Sequence, residues 1–366
     1  MDEVFGTDRV VAAILRFEAA LAMSLSDVGI APEAEARAVA SACEVQVGDA
    51  EGLLATTWES GTPMLAIKEL VEARLSTDDE RRWIHYGSTT QDAIDTSYML
   101  LTRDALGLIE AGMAEMAWAM RDLVIEHRDQ VHMGRTFLQD ALPTTFGSRV
   151  ARWLDPTLTH LETLRQTRDG LAVQLGGPVG NLATFGEEGA AVVEALARRL
   201  GLAAPHVPWH TDRSRIRVVV NTIDDAVASF AKVAMDVSLL AQSAIGEVTT
   251  RPGGSSSMPD KLNPVDAIRA LAAADVCHGA AGIVRPGRPH ELDRSLGSWQ
   301  AEWVALPLLF SAASAVVEAM TTLLESLEVD VSAMESRVDA DAEAFPGLID
   351  VVLSRYDRLM DGWGDS

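Results

Sequence analysis

Between Ile216 and Ala241 the sequence sets Ile216, Val219, Val220, Ile223, Val227, Phe230, Ala234, Val237 and Ala241 at steps of three and four residues. Such spacing keeps all of them on one narrow stripe of an α-helix, and a stripe this long is a seam that only partner helices can bury. Partners are present. Val10, Val11, Ile14, Leu15, Ala19, Leu21, Ala22 and Leu25 predict a helix over 9–28, closed by Gly29 and Pro32. Residues 33–47 and 63–75 read as shorter helices. The proline-free run 93–130 reads as one long helix, with Ile94, Met99, Leu101, Leu106, Ile109, Met113, Met116 and Met120 on its apolar positions and its methionines as core filler. Helical spacing returns over 153–171, 187–200, 266–284 and 304–329. Aromatic residues make up only 5% of a chain that is 48% hydrophobic, which favours helices packed through small side chains over a β-sandwich. The expected fold is all-α: a smaller N-terminal helical domain over 1–92, a long central helical bundle over 93–329, and a short or missing C-terminal cap over 330–366. Several long seams in one chain also predict an oligomer.

Charge narrows the function. Thirty Lys and Arg stand against 54 Asp and Glu, a net charge of −24, with no basic run to hold phosphates, so no nucleic-acid partner is expected. Cys43 and Cys277 are too few for a disulfide framework or a Cys-ligated zinc site. His206 and His210 are four apart, but Pro208 between them prevents a helical pair of metal ligands. The N-terminus lacks a basic and apolar leader, and no stretch is expected to reach the roughly eighteen apolar residues of a membrane span. A cytoplasmic protein without a membrane partner follows as the expectation.

Four stretches interrupt the helices with chemistry. Gly253 to Pro264, Gly-Gly-Ser-Ser-Ser-Met-Pro-Asp-Lys-Leu-Asn-Pro, reads as a mobile loop carrying hydroxyls, a cation and an amide. His85 to Asp92, His-Tyr-Gly-Ser-Thr-Thr-Gln-Asp, leads into the long helix, where Thr89 or Thr90 can cap the helix or its exposed N–H groups can bind a carboxylate. Gln174 to Asn181 is a turn with three glycines that lacks the Lys-Ser/Thr of a phosphate cradle. Pro208 to Arg215 carries Arg213 and Arg215, whose guanidinium geometry suits carboxylate binding, although one can equally serve a salt bridge at a helix start.

Gly254 to Asn263 resembles the signature of the fumarase/aspartase superfamily, Gly-Ser-Ser-x-Met-Pro-x-Lys-x-Asn, with Ser255, Met258, Pro259, Lys261 and Asn263 in register. His85–Asp92 and Gly134–Gly147 resemble the first and second conserved regions of that superfamily. His290–Trp303 is similar to a stretch typical of its 3-carboxy-cis,cis-muconate cycloisomerase branch. The resemblance implies that Ser255 is the general base or acid at the carbon beside a carboxylate, with Lys261 and Asn263 stabilising the aci-carboxylate. It implies substrate contacts from His85, Ser88, Thr89, Thr90 and Gln91, from Arg135, Thr136 and Gln139, from His210, Arg213 and Arg215, and from Ser256, Met258 and Arg294. It further implies a homotetramer with sites shared between chains, a small carboxylate substrate, and no cofactor or metal.

Phe137 stands where much of the superfamily places a His acting on the leaving group, and the cycloisomerase branch has an aromatic there. A departing amine needs a proton, whereas a carboxylate, with a pKa near about 4, leaves as a stable anion. Phe137 therefore suits an anionic leaving group, and core packing is its alternative. Asp140, Asp260 and Leu292 each replace a histidine of that branch and Leu262 replaces an arginine, which should weaken binding of a tricarboxylate unless other cations compensate. The leading expectation is a cofactor-independent lactonising cycloisomerase. The alternatives are a carbon–nitrogen lyase releasing fumarate from a succinyl adduct such as nitrosuccinate, and a non-catalytic relative.

Overall fold

A computed structural model describes residues 2–45, 48, 50–55, 61–254, 256–258, 261–287, 290–339, 341 and 343–361. The chain is all-α, with strands only in short pairs. It divides into two compact units, one made of 1–107, 166–219 and 284–307 and the other of 108–165, 220–283 and 308–366. The dividing points fall inside five long helices, Thr90–Glu126, Phe146–Asp169, Ser214–Leu240, Val265–Val284 and Ser298–Glu325.

The first unit is built on the helix Thr7–Asp27, which packs against Glu33–Cys43 and Gly189–Leu200. Val11, Ile14, Phe17, Leu21 and Leu25 recur at helical steps and all are buried, each contributing about 1.5–3 kcal/mol relative to exposure. Glu18 sits on the same buried face, a placement that a helix tolerates only if the carboxylate is paired.

The second unit fills its core with Met113, Met116, Met120, Trp153, Phe230, Phe310 and Met320, all buried. The methionine stripe is core, as its spacing predicts. Within this helical unit the chain also forms an antiparallel hairpin, Val131–Thr136 with Gln139–Thr145, that helical spacing did not reveal. A Cβ on Gly134 would lie 2.6 Å from the Leu142 carbonyl oxygen, so only glycine fits at that position. The two turn residues, Phe137 and Leu138, have φ of 50° and 62°, the left-handed region where a hairpin normally uses Asn-Gly. Phe137 is 99% exposed, so core packing does not explain it.

The loop from Gly253 onward is tied at its base rather than free along its length: Pro252–Gly253 pairs with Asn263–Pro264. Two helices, Val265–Val284 and Ser298–Glu325, are long and apolar enough to cross a membrane by length and composition, which corrects the expectation that no stretch is. Alanine-rich helices apolar on most sides hide this length from a reading based on periodicity. Fifty-six per cent of the apolar window in Ser298–Glu325 is already buried.

Holding two bulky residues left-handed costs about 1–2 kcal/mol each. Replacing the turn by F137N/L138G is therefore expected to raise the melting temperature, by the equivalent of about 2 kcal/mol. Differential scanning calorimetry checks this, and an unchanged or lower melting temperature contradicts it.

Candidate active site

In the first unit the site is organised by carboxylates with no access to water. Asp92, in the first turn of Thr90–Glu126, is 0% exposed. Its Oδ1 accepts from His210 Nε2 at 2.6 Å, from the Gly176 N–H at 2.9 Å and from Gln174 Nε2 at 3.4 Å; its Oδ2 accepts from the N–H groups of Gly177 at 2.9 Å and Thr89 at 3.0 Å. One acid thus joins the helix start, the glycine turn and the His210 segment. The turn must be glycine: Gly177 has φ 74° and a Cβ there would sit 2.8 Å from the Gly87 carbonyl oxygen. The Asp92 carboxylate thus takes up the Thr89 N–H at the helix start, where the sequence had offered the Thr89 or Thr90 side chain as the cap. Among the described residues the Thr89 hydroxyl has no hydrogen-bond partner, and Thr90 Oγ1 accepts from Thr62 Oγ1 at 3.1 Å.

One turn further on, Asp95 makes a second hub. It receives Arg213 at 2.6 and 2.9 Å, Trp299 Nε1 at 2.9 Å and Gln91 Nε2 at 3.1 Å. Arg213 also donates to Glu302, with contacts of 2.6–3.2 Å, and is itself buried. Burial opposes its charge, but Asp95 and Glu302 hold the guanidinium firmly protonated. Burial pushes the Glu302 carboxyl up, with Arg213 pulling the other way and Asp95 adding to the rise.

Two of the expected substrate contacts are engaged inside the chain here. Arg213 has its donors committed to two buried carboxylates. Gln91 gives its amide hydrogens to Asp95 and, at 2.8 Å, to the His210 carbonyl. Its Oε1 is buried with no donor among the described residues, and an acceptor cannot bind a carboxylate. Of the two arginines singled out, Arg215 is the one without a carboxylate partner among the described residues; Arg294 likewise has none and reaches the Pro178 carbonyl at 3.1 Å.

His85 and Ser88 stand at the edge of this group. His85 has φ 56° and meets buried Glu18 twice, through its backbone N–H at 2.9 Å and through Nδ1 at 2.6 Å; Ser88 Oγ lies 2.9 Å from the same Nδ1. Burial lowers the His85 pKa, but the charge and hydrogen bond of Glu18 outweigh it and the net shift is upward. His85 therefore holds a proton more readily than a free histidine.

The second unit holds the hairpin and the signature loop. Arg135 points inward, pairing with buried Glu247 at 2.6 and 2.9 Å and reaching Asp140 at 3.2 Å. Through these contacts Arg135 anchors the hairpin. Asp140, one of the departures from the cycloisomerase branch, is neutralised by the same guanidinium. Thr136 and Gln139 pair across the turn and are exposed. Burial works against ionisation of Glu247, yet His132 and Arg135 hold its carboxyl at about 2. His132 is 3.8 Å away, beyond hydrogen-bond reach, so the bidentate Arg135 pair carries the effect.

Ser255 and Asp260 lie outside the described residues. Lys261 is exposed with no ion-pair partner among them, and Asn263 Nδ2 donates to the Gly254 carbonyl at 3.2 Å, closing the neck of the loop. Ser256, Met258, Leu262 and Leu292 are exposed. Reading the sequence missed Asp95, Glu18, Glu247 and Glu302 as organisers. For Asp92 and Asp95 a signal existed, two acids three residues apart on the buried face of an apolar helix.

Comparison with known proteins gives a consistent answer. A family model described as lyase matches residues 3–276. The 3-carboxy-cis,cis-muconate cycloisomerase of Pseudomonas aeruginosa is 36% identical over 341 residues, covering 91% of this chain and 74% of that protein. A nitrosuccinate lyase of Streptomyces davaonensis is 33% identical over 348 residues, covering 90% and 72%. The crystal structure of the 3-carboxy-cis,cis-muconate lactonizing enzyme of Pseudomonas putida superposes with a TM-score of 0.86 at 33% identity, covering 99% of this chain and 83% of that one.

The Glu247 pair gives a pH prediction. Its folded pKa of about 2 lies below the ordinary value of about 4.3. Its contribution is full above that ordinary value and is lost as pH falls through the folded one. The gap in melting temperature between the natural chain and E247Q should be constant above about pH 5 and shrink toward pH 2. A gap that does not vary with pH contradicts the assignment.

Proposed function

Because the chain belongs to the fumarase/aspartase superfamily, we propose that it catalyses a cofactor-independent addition–elimination at the carbon next to a carboxylate, of the lactonising cycloisomerase kind. In the lactonising direction a substrate carboxylate oxygen bonds to one alkene carbon, and the displaced electron pair moves onto the neighbouring carbon and its carboxylate. Ser255 delivers the proton to that carbon; in reverse its alkoxide removes it, a task that needs nearby N–H groups and a cation to favour the alkoxide. Lys261 and Asn263 stabilise the aci-carboxylate as charge develops. Arg215, Arg294 and the Thr89–Thr90 helix start hold the remaining carboxylates, and His85 lies at the edge with Ser88. Thr136, Gln139, Ser256 and Met258 contribute from the hairpin and loop, and His210, fixed by Asp92, shapes the floor.

The observation that carries this reading is the hairpin turn: Phe137 is 99% exposed at its tip. A phenyl ring supplies no proton there, which favours a leaving group that departs as an anion, as the carboxylate of an opening lactone does. The same reading makes the protein a cytoplasmic homotetramer with shared sites. Exposed Leu108, Trp118, Ile125, Ile268 and Val304 on the long helices support it, as does a strained apolar turn that gains burial only against a neighbour.

A second reading has one favourable observation. Asp140, Leu262 and Leu292 leave fewer cations than the cycloisomerase branch, and nitrite is also an anionic leaving group, so release of fumarate from nitrosuccinate fits Phe137 equally well. An assay decides: lactone turnover supports the first reading, whereas fumarate absorbance near about 240 nm rising only with nitrosuccinate selects the second.

Under either reading S255A should lower kcat by about a thousandfold or more, with KM changed little, since the proton transfer is made only in the transition state. Unaltered turnover in S255A would remove the enzyme reading altogether.

A further inference from the structure

The second unit contains a hollow of about 400 Å³ under the hairpin, large enough for a small organic ligand. Thr136 forms part of its rim and Arg135, already tied to Glu247, part of its wall; the rest is not used by the reaction above. Arg149, Arg152 and Trp153 line it from the helix Phe146–Asp169, Lys232 from Ser214–Leu240, and Leu142 from the hairpin. Arg149 and Arg152 are three residues apart, on one helix face. Like charges so placed repel. Yet among the described residues neither has a carboxylate partner, in a chain with 54 acidic residues against 30 basic ones. Lys232 differs, since it is paired with Asp236.

The two arginines are also fixed in different ways. Arg149 Nε donates to His132 Nε2 at 3.3 Å, and its two terminal nitrogens have no hydrogen-bond partner among the described residues. Burial pulls its pKa down and the charges of Arg152 and Arg135 lower it further, while Asp236 and Glu247 raise it. Arg152 is exposed at the mouth. Next to Arg149, Trp153 forms an apolar wall of the hollow, its indole held by an Nε1 hydrogen bond to Asp236 at 2.8 Å and with the Lys232 ammonium 6.0 Å from the ring centroid. A compact inorganic anion would leave that wall and Leu142 unmatched, whereas a planar acid matches both.

We propose that this hollow binds a small planar organic dicarboxylate, with Arg149 and Arg152 holding its acid groups and Trp153 and Leu142 its carbon skeleton. The site supplies, on the unit that carries the signature loop, positive charge that Asp140, Leu262 and Asp260 do not. It stands apart from the reading of Ser255, because it requires binding and no turnover.

Isothermal titration of the full chain with benzene-1,3-dicarboxylate and with sulfate, at equal ionic strength, tests it. The dicarboxylate should bind with a Kd about tenfold or more below that of sulfate, and R152Q and R149Q should each raise that Kd about tenfold. K261Q should leave it unchanged within about twofold. R152Q is the safer variant because its side chain is exposed. An unchanged Kd in R152Q, loss of binding in K261Q alone, or equal affinity for sulfate would each overturn the proposal. So would absence of binding combined with a changed oligomeric state in R152Q, which would mean that a neighbour's carboxylate fills the hollow.

Discussion

A carboxylate that water cannot reach must find hydrogen-bond donors or give up its charge, and Asp92 finds them in three separate parts of the chain. Its two oxygens collect N–H groups from Thr89, Gly176 and Gly177, the side chain of His210 and that of Gln174. Further bonds, from Thr96 to the Gln174 backbone, from the Trp209 N–H to Gln174 Oε1 and from Gln91 to the His210 carbonyl, reinforce the same junction. Gly176 and Gly177 have no side chains to pack, and residues 208–213 are neither helix nor strand. Removing the acid would leave several buried donors without partners, each costing about 1–3 kcal/mol. The stability of this face and the placement of its polar groups are therefore one property.

The second unit repeats the device. Glu247 is buried and draws in Arg135, while Arg337 approaches to 3.7 Å. It lies just before the short strand Val248–Thr249, upstream of the signature loop, so one acid links the hairpin, close to its turn, to the approach of the loop. The loop has a paired neck and the hairpin a strained tip. Rigid roots beneath an exposed loop and tip suit a chemistry in which water is excluded only when a substrate is held. The strain at Phe137 and Leu138 is consistent with a turn kept for what it presents rather than for its stability.

Much of this was legible in the residues. Helical spacing located the long helices, the methionines were core, and the break at Gly253 marked the loop. What the sequence could not convey was the choice each polar group makes among partners distant along the chain. Arg213 and Gln91 have the chemistry of substrate ligands, and only the approach of Asp95 and Glu302 turns them into structure. Arg215, two residues on, remains uncommitted, a difference that residue type does not encode. The hairpin was hidden because its turn is Phe-Leu rather than Asn-Gly, and the apolar length of Val265–Val284 because alanine on most faces blurs the helical period. In both cases tertiary context overrode a local signal.

The account rests on a short-lived negative charge at the carbon beside a bound carboxylate, formed or quenched by Ser255. Proton NMR of product made from 3-carboxy-cis,cis-muconate in deuterated water reads that step directly. The account predicts one deuterium at the carbon next to the carboxylate, on a single face, and none formed above the uncatalysed background by S255A. Product without deuterium at that carbon, or labelled equally by S255A, would contradict it.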